Sequence, residues 1–329
     1  MLKNIDIHNY RAIKGISLEN FANINIFTGA ANTGKSTILE AIYFLCNIQI
    51  NSLNYILKIR NFIDEKDMFT ALFHDYNINN NIEISGNLNS EDLSCSVKSG
   101  NSIVYDGLNN WLSSINIEYN RFIDRYSYSA TIDNNSNIHI DISYSGNIGL
   151  SAEYLATFSS YDTLKNNLSK VLLNNHSKKL LNKYLQDFDS NIDDIMFIGN
   201  IISVSYKNLS NAVNIKSMGK GFYSYLTIIS SILAGSKIII IDEIENGIHY
   251  TLLETLIRNI LKISMENEVQ FFISTHSKEF LEVFNNLLKN SCIDINLYNI
   301  YNKNNSINHI IYNKDNINLM LNNQNEIRD

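Results

Sequence analysis

Gly29-Ala30-Ala31-Asn32-Thr33-Gly34-Lys35-Ser36 fits the pattern G-x-x-x-x-G-K-[ST] at every position. On its N-terminal side Ile24, Ile26 and Phe27 form a short apolar run, which predicts a strand running into Gly29. On its C-terminal side Ile38, Leu39, Ile42, Leu45 and Cys46 recur at helical spacing, which predicts a helix over 36–47. A strand, a glycine loop and a helix in that order make a phosphate cradle. Glycines let the backbone curl so that successive N–H groups face an anion at the positive end of the helix. In that setting Lys35 reaches the β- and γ-phosphates of a nucleoside triphosphate, and the Ser36 hydroxyl takes a magnesium position. Glycine makes up only 13 of 329 residues, so a chance match anywhere in the chain falls below about one in a hundred. Gly29, Asn32, Thr33, Gly34, Lys35, Ser36 and Thr37 are therefore the expected binding residues for ATP and Mg2+.

Two later stretches fit the same site. Ile238–Ile241 is wholly apolar and ends in Asp242 and Glu243. A buried parallel strand delivers its carboxyl end to the edge where the glycine loop sits. Asp242 would hold magnesium through its water shell, and Glu243 would orient or deprotonate an attacking water. A strand that simply ends in solvated acids is common, and the glycine loop upstream is what favours the catalytic reading. Ile273-Ser274-Thr275-His276-Ser277 closes the next apolar run, which places His276 at that edge, within reach of a γ-phosphate or the water. A lone histidine is more often structural, so His276 rests on this placement.

The rest of the chain is organised around these motifs. Leu2, Ile5, Ile7, then Ile13, Ile16 and Leu18 predict two short N-terminal strands. Residues 81–105 and 115–147 alternate as β hairpins with Asn and Gly turns. Leu164, Leu168, Val171, Leu172, Leu180, Leu181 and Leu185 predict one helical stretch. Strand and helix then alternate: helix 221–233, strand 237–241, helix 249–264, strand 269–273, helix 278–284, and strands 295–300 and 307–311. Such alternation argues for a largely parallel α/β sheet flanked by helices. Residues 1–50 and 190–329 would form this domain, and 51–189 an insertion of β hairpins followed by helices. Trp111, Phe122, Tyr126 and Tyr128 could face a partner, but the core of the β insertion is the commoner use of such aromatics.

Composition narrows the class. The net charge of −7 argues against an obligatory high-affinity nucleic-acid binder. No apolar run reaches membrane-spanning length, and the first residues lack the regions of a signal peptide, which predicts a cytoplasmic protein. Cys46, Cys95 and Cys292 have neither disulfide nor metal-ligand spacing. Proline is absent, so turns must be built from Asn, Asp, Ser and Gly.

The segments NYRAIKGISLENF (9–21), GAANTGKST (29–37), KSMGKGF (216–222), IIIIDEIENGIHY (238–250) and FFISTHS (271–277) resemble, in this order, the ABC-type ATPases of the SMC/RecF/OLD group. The likeness is greatest to stand-alone AAA-family ATPases related to OLD. ALFHDYNINNNIEISG (71–86) and the ending NNQNEIRD (322–329) have the same flavour. The resemblance implies a P-loop NTPase of ABC-ATPase type, with N-terminal strands and a β-rich plus helical insertion. It implies that Arg11 lies near the nucleotide. Ser217, Gly219, Lys220 and Gly221 would form the signature motif, which contacts the γ-phosphate bound by a second subunit. A plain helix start capped by Ser217 is the alternative there. Asn246-Gly247-Ile248-His249 would be the loop across the dimer interface. Two places depart from the pattern: Met218 stands where serine is usual, and Lys220 where a small or acidic residue is usual. The glutamine that usually follows the P-loop helix is not identified; Gln49 lies too near that helix, and Gln186 finds no assignment.

OLD proteins proper carry a TOPRIM nuclease, which needs an Asp-x-Asp pair. About fifty residues follow His276, and Asp294 is followed by Ile295 and Asn296. The resemblance implies instead an ATPase, slow and dependent on dimerisation, forming a homodimer or higher homo-oligomer through an ATP sandwich. It would regulate a separate TOPRIM- or HNH-type nuclease in a bacterial anti-phage system, with a phage trigger as a further candidate partner. The alternatives are a RecF-like repair ATPase that binds DNA directly, and a slow structural clamp.

Overall fold

Four consecutive isoleucines, Ile238–Ile241, form a strand in which every side chain is buried, as a strand covered on both faces requires. The computed structural model describes residues 1–47, 50–60, 67–100, 103–105, 110–121, 124–132, 138–142, 152–156, 161–288, 293–304 and 306–317. The chain opens with strands β1 (Leu2–Tyr10), β2 (Ile13–Leu18) and β3 (Ile24–Thr28), then helices α1 (Lys35–Cys46) and α2 (Ile50–Ile59). Strands β4 (Ile82–Leu88), β5 (Glu91–Ser99), β6 (Ile103–Tyr105), β7 (Asn110–Leu112), β8 (Ser114–Arg121), β9 (Asp124–Ile132), β10 (Ile138–Ile142) and β11 (Ala152–Leu155) follow. Helices α3 (Tyr161–Leu173) and α4 (Asn175–Phe188) lead to strands β12 (Ile192–Ile198), β13 (Ile201–Tyr206) and β14 (Val213–Asn214). The remainder is α5 (Lys220–Leu233), β15 (Ile238–Ile241), α6 (Tyr250–Asn267), β16 (Gln270–Ser274), α7 (Lys278–Leu288), β17 (Ile295–Lys303) and β18 (Ser306–Asn313).

The central sheet has the order β11-β15-β16-β3-β17-β18, parallel throughout except for the final β17–β18 hairpin. Its side chains alternate between two cores. Ile240 and Phe272 join one cluster with α1, while Ile239, Ile241, Phe271 and Ile273 join the other with α5, α6 and α7. An antiparallel sheet, β10-β9-β8-β5-β4-β1-β2, covers the first cluster. Helix α1 packs against strands of both sheets, which buries all but one of its residues. In β1 the buried positions are Leu2, Ile5, Ile7 and Tyr10; the three-residue step from Leu2 to Ile5 coincides with a register shift against β4 between Leu2 and Asn4.

Strands of the 51–189 segment pair outside it: β4 with β1, and β11 with β15. The single helical stretch predicted over 164–185 is corrected to two helices. The Asn174 side chain accepts from the amides of His176 and Ser177 and starts α4 afresh. Tyr128 is buried and Tyr126 packs against the same core, which is the core use of these aromatics. Phe122, the Trp111 side chain, Gln49, Cys292 and residues 322–329 lie outside the described residues. Cys46 and Cys95 are buried free thiols. The proline-free turns use left-handed asparagines, among them Asn9, Asn20, Asn32, Asn89 and Asn304. No helix among the described residues is long and apolar enough to cross a membrane.

Candidate nucleotide site

Because β3, β15 and β16 are parallel, their carboxyl ends share one edge, and each predicted motif begins there. The loop after β3 needs its first glycine. Gly29 has φ +134°, and a Cβ there would lie 2.0 Å from the Ile300 carbonyl oxygen on β17. Gly34, at φ +93°, caps α1 without any side-chain hydrogen bond, and no acidic residue occupies the first helical turn. The amides at this helix start therefore keep their donors for an anion. Asn32 is exposed with left-handed φ, and the Thr33 hydroxyl donates to the Ala30 carbonyl at 2.9 Å. Thr37 is buried on α1.

Lys35 curls back over the loop. Its ammonium donates to the carbonyls of Gly29 (3.0 Å) and Ala30 (2.7 Å), and the residue is 5% exposed. Burial lowers its pKa to about 8, against the pull of Asp242, Glu243 and Glu245. A phosphate would replace two neutral carbonyls with a charged acceptor.

Asp242 is the centre of a hydroxyl cluster. Oδ1 accepts from Ser36 at 3.1 Å and from Ser274 at 2.6 Å, and Oδ2 accepts from Tyr154 at 2.9 Å. One hydroxyl and one carboxylate converge on the start of α1. That oxygen donor set fits magnesium, which keeps waters and phosphate oxygens for its other positions. No group of three His, Cys, Asp or Glu able to hold a metal occurs among the described residues.

Glu243 takes a left-handed φ of +56° at the strand end. Its amide donates to the Ser274 hydroxyl at 2.8 Å, and its carboxylate accepts from the Asn246 side chain. Glu245, to which the sequence reading gave no role, joins the two carboxyl-end loops. It accepts from the Thr275 hydroxyl at 2.8 Å and from the His276 amide at 2.7 Å. The His276 residue itself is exposed.

The Arg11 guanidinium lies 3.1 Å from Glu40 on α1, one helical turn after Ser36. Arg60 also binds Glu40, which is fully buried, and burial raises the Glu40 pKa despite both cations. Gln186 donates to the Ile192 carbonyl at 3.3 Å, at the start of β12.

Ser217, Gly219 and Lys220 are exposed, while Gly221 sits in the first turn of α5. A Cβ on Gly221 would lie 2.9 Å from the carbonyl oxygen of Gly247, so α5 starts against the loop that follows Glu243. Sequence reading missed Tyr154, Glu40 and Arg60 as well as Glu245. Glu245 stood inside a quoted motif; the other three carry no local signal.

A glycine loop, a hydroxyl–carboxylate pair and an adjoining glutamate on parallel strand ends define a P-loop ATPase of ABC type. The chain belongs to the AAA-domain family described as "AAA domain, putative AbiEii toxin, Type IV TA system", whose model matches residues 24–282. It is 26% identical over 334 aligned positions to a Helicobacter pylori protein called ATP/GTP phosphatase, covering 88% of this chain and 89% of that one. An uncharacterized Methanocaldococcus jannaschii protein is 30% identical over 172 residues, 49% of this chain and 70% of that one. Among solved structures, an SMC head bound to the C-winged helix domain of ScpA superposes with TM-score 0.55 at 10% identity, covering 95% of this chain and 98% of that one. A Pyrococcus furiosus-derived Smc head with an extended coiled coil, bound to the C-terminal domain of ScpA, gives 0.51 at 10%, covering 98% and 99%. At that identity the likeness is one of fold.

Proposed function

We propose that the protein is a Mg-ATP-hydrolysing regulatory subunit that works as a homodimer or higher homo-oligomer with composite sites, and controls a separate nuclease in a bacterial anti-phage system. The observation that carries the ATP-sandwich reading is the placement of the signature segment. Ser217, Gly219 and Lys220 are exposed at the start of α5, and Gly221 packs on the loop leaving Glu243. A segment so placed is available to a second subunit while remaining mechanically tied to its own catalytic glutamate.

Within one site, the amides of the Gly29–Ser36 loop and the Lys35 ammonium would bind the phosphates, and Ser36 and Asp242 would hold magnesium. Bound magnesium would supply charge neutralisation at the β- and γ-phosphates. Glu243 would take a proton from the attacking water, and His276, fixed through its amide by Glu245, would present its ring to the γ-phosphate. Arg11 would act through Glu40 on the helix that starts the phosphate cradle. The relative called ATP/GTP phosphatase supports hydrolysis. The resemblance to OLD-related stand-alone ATPases and the toxin–antitoxin wording of the family description support a defence role in the cytoplasm.

The composite site is tested by mixing two inactive variants. Lys35→Ala lacks a P-loop and Lys220→Glu lacks a signature, so a mixed dimer contains one intact pair. Restored turnover on mixing is expected; two variants that stay inactive together overturn the sandwich. The defence role is tested by phage challenge of cells carrying wild type or Lys35→Ala. Equal protection, or no copurifying nuclease, sinks it. ATP-dependent DNA binding that weakens steeply with salt would instead favour the RecF-like reading.

A further inference from the structure

Three buried tyrosines and the half-buried Tyr55 satisfy their hydroxyls at main-chain carbonyls. Tyr55 donates to Tyr154, Tyr119 to Phe44, Tyr225 to Tyr184 and Tyr298 to Glu19. Tyr154 does otherwise: its hydroxyl meets Asp242 Oδ2 at 2.9 Å. The two strands that flank β15 thus each supply one hydroxyl to the carboxylate at its end, Tyr154 from β11 and Ser274 from β16. One donor on each oxygen fixes the carboxylate plane without any help from Ser36. The Tyr154 ring is itself held, 5.7 Å from Tyr43 on α1 and 6.3 Å from Tyr55 on α2.

We infer that Tyr154 is a positioning residue for the magnesium site, holding Asp242 in the orientation in which Oδ1 faces the Ser36 hydroxyl. The inference rests on the reading of Asp242 as the magnesium carboxylate. Groups that hydrogen-bond a metal-binding carboxylate from behind typically change metal affinity about 10- to 100-fold when removed.

The test uses full-length protein with a non-hydrolysable ATP analogue and reads Mn2+ binding by electron paramagnetic resonance, with Mg2+ as competitor. Tyr154→Phe keeps the ring and deletes only the hydroxyl; Tyr43→Phe is the control for a lost phenol in the same cluster. Asp242→Asn tests the reading beneath. The expected result is Mn2+ affinity about tenfold weaker in Tyr154→Phe, near wild type in Tyr43→Phe, and weaker still in Asp242→Asn. Turnover of Tyr154→Phe should recover as Mg2+ is raised, which loss of packing alone would not produce. Weak binding in Asp242→Asn beside wild-type affinity in Tyr154→Phe overturns the inference and leaves the magnesium assignment standing. Unchanged affinity in Asp242→Asn overturns both. If Tyr154→Phe does not fold, Ser274→Ala removes the matching donor on the other oxygen, and unchanged Mn2+ affinity there overturns the two-sided support.

Discussion

The hydroxyl of Ser36 lies 3.1 Å from Oδ1 of Asp242, across 206 positions of sequence. This bond closes the gap between the phosphate cradle and the end of β15, with β16 lying between β15 and β3. Ser36→Ala should cost about 1 kcal/mol of metal-free stability, the usual net value of one hydrogen bond. It should also abolish the additional melting shift that Mg2+ gives to ATP-bound protein. Thermal melting with ATP, in the presence and absence of Mg2+, measures both.

Glu243→Gln keeps the Asn246 contact possible but removes the carboxylate proposed as the base. Turnover should fall by about 10²–10⁴-fold, while ATP binding stays within a few-fold of wild type. Size-exclusion chromatography with ATP should then show a dimer or larger assembly. Undiminished turnover would remove Glu243 from the mechanism.

Gly221→Ala would place a methyl carbon 2.9 Å from the Gly247 carbonyl oxygen. Neither partner is the end of a flexible side chain, so the start of α5 or the loop after Glu243 must move. A loss of about 1–3 kcal/mol in stability is expected, typical of overpacking. Turnover should fall more than binding of a fluorescent ATP analogue.

Glu40 binds two guanidinium groups from a fully buried position. Glu40→Gln leaves both cations without their anion and should cost about 3 kcal/mol. Urea unfolding should show a lower midpoint at unchanged slope. Arg11→Ala alone should cost less, because Arg60 still pairs with the carboxylate.

Glu153 on β11 is a partly buried carboxylate that accepts from Asn167 at 2.6 Å and Ser236 at 3.1 Å, and burial raises its pKa above the ordinary 4.5. Between the unfolded value and the raised folded value, the native state binds more protons than the unfolded one. Stability from this group therefore falls as pH rises through that window. Glu153→Gln should gain on wild type as pH increases from 5 to 8. A stability difference that does not change with pH would contradict this.

The phosphate loop was legible because its signal is local: glycines at Gly29 and Gly34, an apolar run before them and a helical period after. Asp242 and Glu243 were legible because β15 is buried on both faces and its apolar run stops abruptly at the acids. The break at Asn174 was not, since the leucine period resumes after it and only the cap geometry separates α3 from α4. Strand β11 escaped notice as well: four residues carry little periodicity, and their pairing partner lies far along the chain.

The sequence by itself determined the glycine loop and the helix start proposed to meet the phosphates, because glycine's backbone freedom and the direction of a helix start act over a few residues. It also determined that the motif-bearing strands are parallel, through the helix between each pair. Only the tertiary structure decided what stands behind those groups. Tyr154 reaches Asp242 across 88 positions and Glu245 reaches the His276 amide across 31. Arg11 meets Glu40 through the packing of the N-terminal sheet on α1. Such bonds depend on the order of strands in the sheet, and that order is set by long crossovers and two-sided burial rather than by any local pattern.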